Sequence, residues 1–137
     1  MATSPVVLEF VKSKCSKSGH DVEGVPSQYG IYYVATKTPD SNEILPLYIG
    51  MSDDLNHRLS NHEKYDSFIK NTKNNEELVI YTAVIDAQKV NRIEQAMIYH
   101  FKPPLNDKHK NSFDNQDTTI TLVGHIKYNQ FTVNKTV

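Results

Sequence analysis

Gly30-Ile31-Tyr32-Tyr33-Val34-Ala35 and Leu45-Pro46-Leu47-Tyr48-Ile49-Gly50 are the two stretches that decide how this chain folds. The first is rich in β-branched and aromatic side chains and is bounded by turn-formers, the composition of a strand. Pro39, Asp40, Ser41 and Asn42 supply a turn. The second stretch returns as the partner strand, giving a hairpin with a long loop. Tyr32 and Tyr33 alternate faces, so one is expected to pack inward and the other to open to a site or to solvent.

Working outward from the hairpin, Ser52 or Asp53 is expected to cap a helix running to about Glu63, with acidic residues in its first turn and Leu55 and Leu59 as its buried stripe. The polar stretch 65–75 predicts a second short helix. Residues 78–85 are nearly continuous in apolar side chains, as in a strand covered on both faces. Asp86 caps a helix over about 87–101, in which Val90, Ile93, Met97 and Phe101 recur at intervals of three and four. Pro103 and Pro104 end it. Residues 118–123 read as a fourth strand, paired with 131–133.

Upstream, Val6 to Val11 fit a short strand or one helical turn equally well. Residues 16–24 read as a loop around Gly19, Asp21 and Gly24. The order strand, strand, helix, strand, helix implies one α/β (α+β) domain. The expectation is a small central antiparallel three-stranded sheet flanked by helices over 29–107. Residues 1–28 form an N-terminal extension and 108–137 a C-terminal one, the latter a β-hairpin packed on the same domain.

The chain has 137 residues, enough for a single core. With 38% hydrophobic and 23% charged residues its composition is that of a globular protein, and no apolar run approaches the ~20 residues that cross a bilayer. The first ten residues lack the basic start and apolar middle of a secretory signal. Cys15, the one cysteine, reads as a free thiol that can build neither a disulfide nor a cysteine-rich zinc site. An intracellular, cytoplasmic setting is the expectation. The formal net charge of −1 does not itself point to nucleic acid. Lysines gather locally instead, at Lys12, Lys14 and Lys17, and at Lys102, Lys108 and Lys110.

Four kinds of residue could carry chemistry, and each has an ordinary reading when taken singly. Arg58 is one of only two arginines. His62 lies four positions on, which would put both on one helical face. An arginine fork suits phosphate and a histidine can hold or pass a proton near neutral pH, but a solvated helix edge looks the same. Glu94 borders the apolar stripe of its helix and is a hard oxygen ligand of the kind Mg²⁺ takes; it could equally pair with Arg92 or a lysine. Tyr32 and Tyr48 could orient water or bond phosphate, yet strand tyrosines are usually packing residues.

Taken together, Gly30-Ile31-Tyr32, Tyr48-Ile49-Gly50, Arg58, His62, Glu94 and Asn106 behind Pro103-Pro104-Leu105, in this order, resemble the GIY-YIG nuclease family. The resemblance covers about 29–107. It implies a site in which Tyr32 is a general base or water-orienting group, with Tyr48 assisting. Arg58 would stabilise charge on the phosphate, and Glu94 would hold one divalent ion, Mg²⁺ or Mn²⁺. His62 would bond Tyr32 or the scissile phosphate, and Asn106 would hydrogen-bond within the site. A tyrosine base works only if its pKa falls well below ~10. Lys102, Lys108 and Lys110, close in sequence to Asn106, are expected to form a DNA-binding rim. DNA is the expected partner, a homodimer is compatible with the reading, and no membrane association is expected. An endonuclease acting on DNA is the favoured function. A catalytically silent DNA-binding or regulatory module with the same fold is the alternative, and chance occurrence of the two tripeptides is the third reading.

Overall fold

The structure is a computed structural model that describes residues 5–14, 24–41 and 43–137. Cys15, Lys17, Asn42 and all but the last residue of the expected 16–24 loop lie outside the described residues. The elements run β1 Val6–Lys14, β2 Gly30–Lys37, β3 Leu45–Ser52, α1 Leu55–Ser60, α2 Tyr65–Lys70, β4 Glu77–Val84, α3 Ala87–Phe101, β5 Thr118–Gly124 and β6 Asn129–Val133. No described helix is long and apolar enough to cross a membrane.

The sheet is six-stranded and mixed, in the order β3-β2-β4-β1-β5-β6, which corrects the expected three-stranded antiparallel sheet. The strand that makes the difference is β1. Its first half, Val6 to Phe10, runs parallel to Ile120–Gly124 of β5. Its second half, Val11 to Lys14, pairs antiparallel with β4. Along it Leu8 and Phe10 are buried while Val7, Glu9 and Val11 are exposed, the period of two that defines a strand covered on one face. β5 and β6 form an antiparallel pair, so β1 joins them to the hairpin strands in one sheet.

Both faces of the hairpin region are covered. On one face Ile31, Tyr33, Ile49 and Tyr81 pack with Val90, Ile93 and Met97 of α3. On the other, Tyr32, Val34 and Ile80 pack with Leu55 and Leu59 of α1 and with Tyr65 and Phe68 of α2. Tyr32 is 1% exposed and Tyr33 2%. Of the two expected openings, to a site or to solvent, solvent is thereby excluded: each tyrosine enters its own core because helices cover both sides of β2.

Helix ends account for two further differences. The N-cap of α1 is Asp54, whose carboxylate accepts from the His57 N–H at 3.0 Å, and its first turn holds no acidic residue. The helix stops at Ser60 rather than Glu63. Ser60 Oγ donates to the Asn56 carbonyl at 2.7 Å and the Asn61 amide to the His57 carbonyl at 3.3 Å, so polar side chains take acceptors that further helix would need. His62 and Glu63 consequently sit in the turn between α1 and α2, and Arg58 and His62 share no helical face. α3 spans the expected residues, with Ala96 and Ile98 buried beside the predicted stripe and Phe101 only partly covered.

β3 is an edge strand, and its edge is occupied. The Leu105 N–H donates to the Leu47 carbonyl at 3.0 Å. The Asn106 amide accepts from the Ile49 N–H and donates to the Ile49 carbonyl, both at 2.9 Å. One side chain thus imitates a neighbouring strand and closes an edge that would otherwise invite pairing.

Candidate active site around Tyr32

Tyr32 lies opposite Gly50 in the β2–β3 ladder. A Cβ placed on Gly50 would fall 2.2 Å from the Tyr32 Cζ and 2.3 Å from its hydroxyl oxygen. The glycine of the second tripeptide is thus a space requirement: the phenol ring lies over it. Gly50→Ala is expected to displace the Tyr32 ring and lower stability by about 1–3 kcal/mol, the usual cost of overpacking a filled core. Chemical denaturation checks this, and an unchanged midpoint would mean that the ring does not lie over residue 50.

Around that ring stand Tyr48, stacked at 6.1 Å between centroids, and His62, edge-on at 5.4 Å. His62 is itself buried, on the face covered by α1 and α2. Burial, with help from the charge of Arg58, pulls its pKa down to about 4, so the imidazole is neutral near pH 7. A neutral imidazole has one donor and one acceptor nitrogen. The Lys64 backbone N–H points to Nδ1 at 3.1 Å, which makes Nδ1 the acceptor. Nε2 therefore carries the proton and donates to the Tyr32 oxygen, 2.8 Å away.

Arg58 and Tyr48 also stand close enough to the Tyr32 hydroxyl to act on its ionisation. Even so, burial dominates and pushes the Tyr32 pKa well above the ordinary tyrosine value; Tyr48 and Glu94 add to the rise, and Arg58 only partly opposes it. The fall that a tyrosine base requires is not what these surroundings produce.

The guanidinium of Arg58 is held in both arms by Glu63: Nη2 lies 2.9 Å from one carboxylate oxygen and Nη1 bonds the other. The fork pulls the Glu63 pKa down to about 2. Glu63 was not legible in the sequence. In a helix continued to residue 63 it would not share the Arg58 face, and only the break after Ser60 folds it back. Lys64 is a second unforeseen neighbour, with its ammonium 5.6 Å from the centre of the Tyr48 ring.

Glu94 comes from α3, half-buried, with the Met51 N–H of β3 near its carboxylate. Burial pushes its pKa up to about 7. It is near enough to raise the pKa of both Tyr32 and Tyr48. The expected alternatives for it do not occur, because Arg92 donates to Thr118 Oγ1 at 2.8 Å and no lysine pairs with Glu94 among the described residues. No group of three or more His, Cys, Asp and Glu side chains forms a closed metal cage among the described residues. One desolvated carboxylate without a cationic partner does fit Mg²⁺, which keeps several waters and commonly takes one or two carboxylates plus substrate phosphate oxygens.

Asn106 is committed to the β3 backbone on both sides of its amide and touches the site through the strand bearing Tyr48 and Gly50. The three lysines are arranged differently from one another. The Lys102 ammonium bonds the Lys110 carbonyl and lies 4.2 Å from the centre of the Tyr99 ring. Lys108 is exposed and Lys110 partly covered. Among the described residues, no hydrogen bond or ion pair joins any of the three to the Tyr32 cluster.

A family model described as the GIY-YIG catalytic domain matches residues 28–111, more than half of the 137-residue chain. No curated protein and no solved structure matches the chain.

Proposed function

The chain belongs to the GIY-YIG nuclease family, and from that premise we propose that it is a metal-dependent endonuclease that hydrolyses DNA phosphodiester bonds at the Tyr32 cluster. The observation that carries this reading is the gathering, around one buried tyrosine whose hydroxyl bonds an imidazole N–H, of a guanidinium and a half-buried carboxylate.

Attack of water on a phosphodiester builds negative charge on the non-bridging and leaving oxygens. Arg58 presents the planar fork that binds those phosphate oxygens two at a time. Glu94 would hold one Mg²⁺ or Mn²⁺, which when bound supplies neutralising charge at the leaving oxygen. Tyr32 keeps its proton at neutral pH and orients the attacking water, since burial opposes its ionisation. His62 fixes the Tyr32 oxygen by donating to it and cannot take its proton, because Nδ1 is already engaged by Lys64. Tyr48 assists at the phosphate, and Asn106 holds the strand that carries it. Lys102, Lys108 and Lys110 would form the outer rim that follows the DNA backbone.

Glu63 has a place in this scheme. A carboxylate and a phosphate compete for the same arginine fork, so Glu63 must yield when DNA binds. Because the pair is partly exposed, its strength lies within the ~0–1 kcal/mol of surface ion pairs. Glu63→Gln should accordingly tighten binding of labelled duplex DNA in EDTA by up to about 5-fold. Fluorescence anisotropy reads this directly, and weaker binding would show that Glu63 aligns Arg58 rather than masking it. The same ion pair is the one observation favouring a catalytically silent binding module, because it leaves Arg58 satisfied without substrate.

Incubating the purified protein with supercoiled plasmid and with single-stranded DNA separates the two readings. The proposal expects cleavage with Mg²⁺ or Mn²⁺ and none with EDTA. A folded protein that binds DNA and cuts neither substrate would make the silent module correct.

A further inference from the structure

Tyr33, the neighbour of Tyr32, faces the opposite side of the sheet and has no part in the site above. With Tyr81 it lines a cavity of about 410 Å³ between the β2–β3 connection, the end of α3 and the β5–β6 connection. The two tyrosines are 2% and 4% exposed. Neither hydroxyl has a hydrogen-bond partner among the described residues. Both hydroxyl oxygens open onto the cavity space rather than being sealed from it. Two such hydroxyls on one cavity wall are available to bond an occupant of the cavity.

The remaining lining describes that occupant. Phe101, Leu122 and Ile126 give an apolar floor suited to a flat ring. His125 and Lys127 stand on the rim. The His125 Nδ1 accepts from the Lys12 N–H at 2.9 Å, which leaves Nε2–H as a donor in the neutral ring. Tyr128, 66% exposed, adds an aromatic face at the mouth. Apart from Glu43, which only accepts, every polar side chain of the lining can donate, so a ligand with acceptors and a negatively charged outer end at Lys127 fits. The volume lies within the range of small-molecule sites.

We propose that this cavity binds one nucleotide, its base on the apolar floor against the Tyr33 and Tyr81 hydroxyls and its phosphate at Lys127 and His125. The choice of a nucleotide over another acidic aromatic ligand rests on the nuclease reading given above. The nucleotide could come from a DNA strand or be free in solution, and both present the same chemistry.

Calorimetric titration of the full chain with deoxynucleoside monophosphates, in EDTA, tests this. Saturable binding is expected in the parent and in Arg58→Ala. It should weaken about tenfold or more in the double variant Tyr33→Phe/Tyr81→Phe, as two hydrogen bonds are lost. Should that variant fail to fold, Lys127→Gln and Tyr128→Ala, both at exposed positions, are expected to weaken binding too. No binding in the parent, binding unaffected by these four substitutions, or binding lost in Arg58→Ala would overturn the proposal. A single-stranded oligonucleotide that displaces the mononucleotide in a Lys127-dependent way identifies the strand as the source; one that does not identifies free nucleotide. Plasmid cleavage, read separately, keeps the two ideas apart. Nucleotide binding without cleavage sinks the nuclease reading, and cleavage without nucleotide binding sinks the cavity.

Discussion

Arg58→Ala is expected to lower the single-turnover rate of DNA cleavage by about 10²- to 10³-fold, the usual loss when one preorganised charge contact to the transition state is removed. The substitution should leave the fold standing. Arg58 is partly exposed, its ion-pair partner Glu63 lies at the surface, and the helix buries Leu55 and Leu59 rather than the arginine. Arg58→Lys keeps the charge and loses the fork, so it should recover only part of the rate. Cleavage by Arg58→Ala at the parent rate would remove Arg58 from the site.

Glu94→Gln is expected to cost a comparable 10²- to 10³-fold at low millimolar Mg²⁺, and to do so through the metal. A cation must displace the proton that Glu94 holds up to about pH 7. In the parent, at sub-saturating Mg²⁺, the rate should climb with pH to a midpoint near 7, and the midpoint should move down as Mg²⁺ is raised. Glu94→Gln should lack that midpoint at every Mg²⁺ concentration. Stability without metal gives a second readout of the same group. The folded carboxyl titrates near 7 and the unfolded one near 4.5. Folded protein therefore binds more protons between these values, and this group's contribution to stability falls as pH rises through the window. His62 acts in the opposite sense: its folded value near 4 lies below the ordinary 6.5, so its contribution grows as pH rises between them. Removing Glu94 should leave the rising histidine trend, to which His100, its pKa also lowered by burial, adds in the same sense as His62. A parent and a Glu94→Gln variant with the same pH dependence would show that residue 94 does not titrate there.

The hairpin strands and α3 could be read from the chain because their patterns are local. Val90, Ile93 and Met97 announce a helix whatever else is nearby, and the two tripeptides lie in runs of strand-forming residues. β1 was harder for a physical reason. Leu8 and Phe10 alternate with Glu9, but six residues with many β-branched side chains carry no information about a partner, and that partner is β5 at the far end of the chain. The extent of the sheet therefore depended on a pairing that no window of sequence contains. Within the site, the residue types came from the resemblance, whereas their states did not. The neutral, Nε2-protonated His62 depends on the Lys64 N–H. The elevated Tyr32 pKa depends on two helices closing over one strand face. Glu63 meets Arg58 only because Ser60 and Asn61 end α1 early. Each is set by a helix end or by packing.

Single-turnover cleavage by the parent, Arg58→Ala, Glu94→Gln and the double variant tests most directly whether these residues form one metal-dependent phosphodiesterase site. Groups that act as a unit lose their effect together. The account predicts that each single substitution is severe and that the double variant is little worse than the poorer single. Full multiplication of the two losses would mean independent roles, and cleavage at the parent rate in all four proteins would place the chemistry elsewhere.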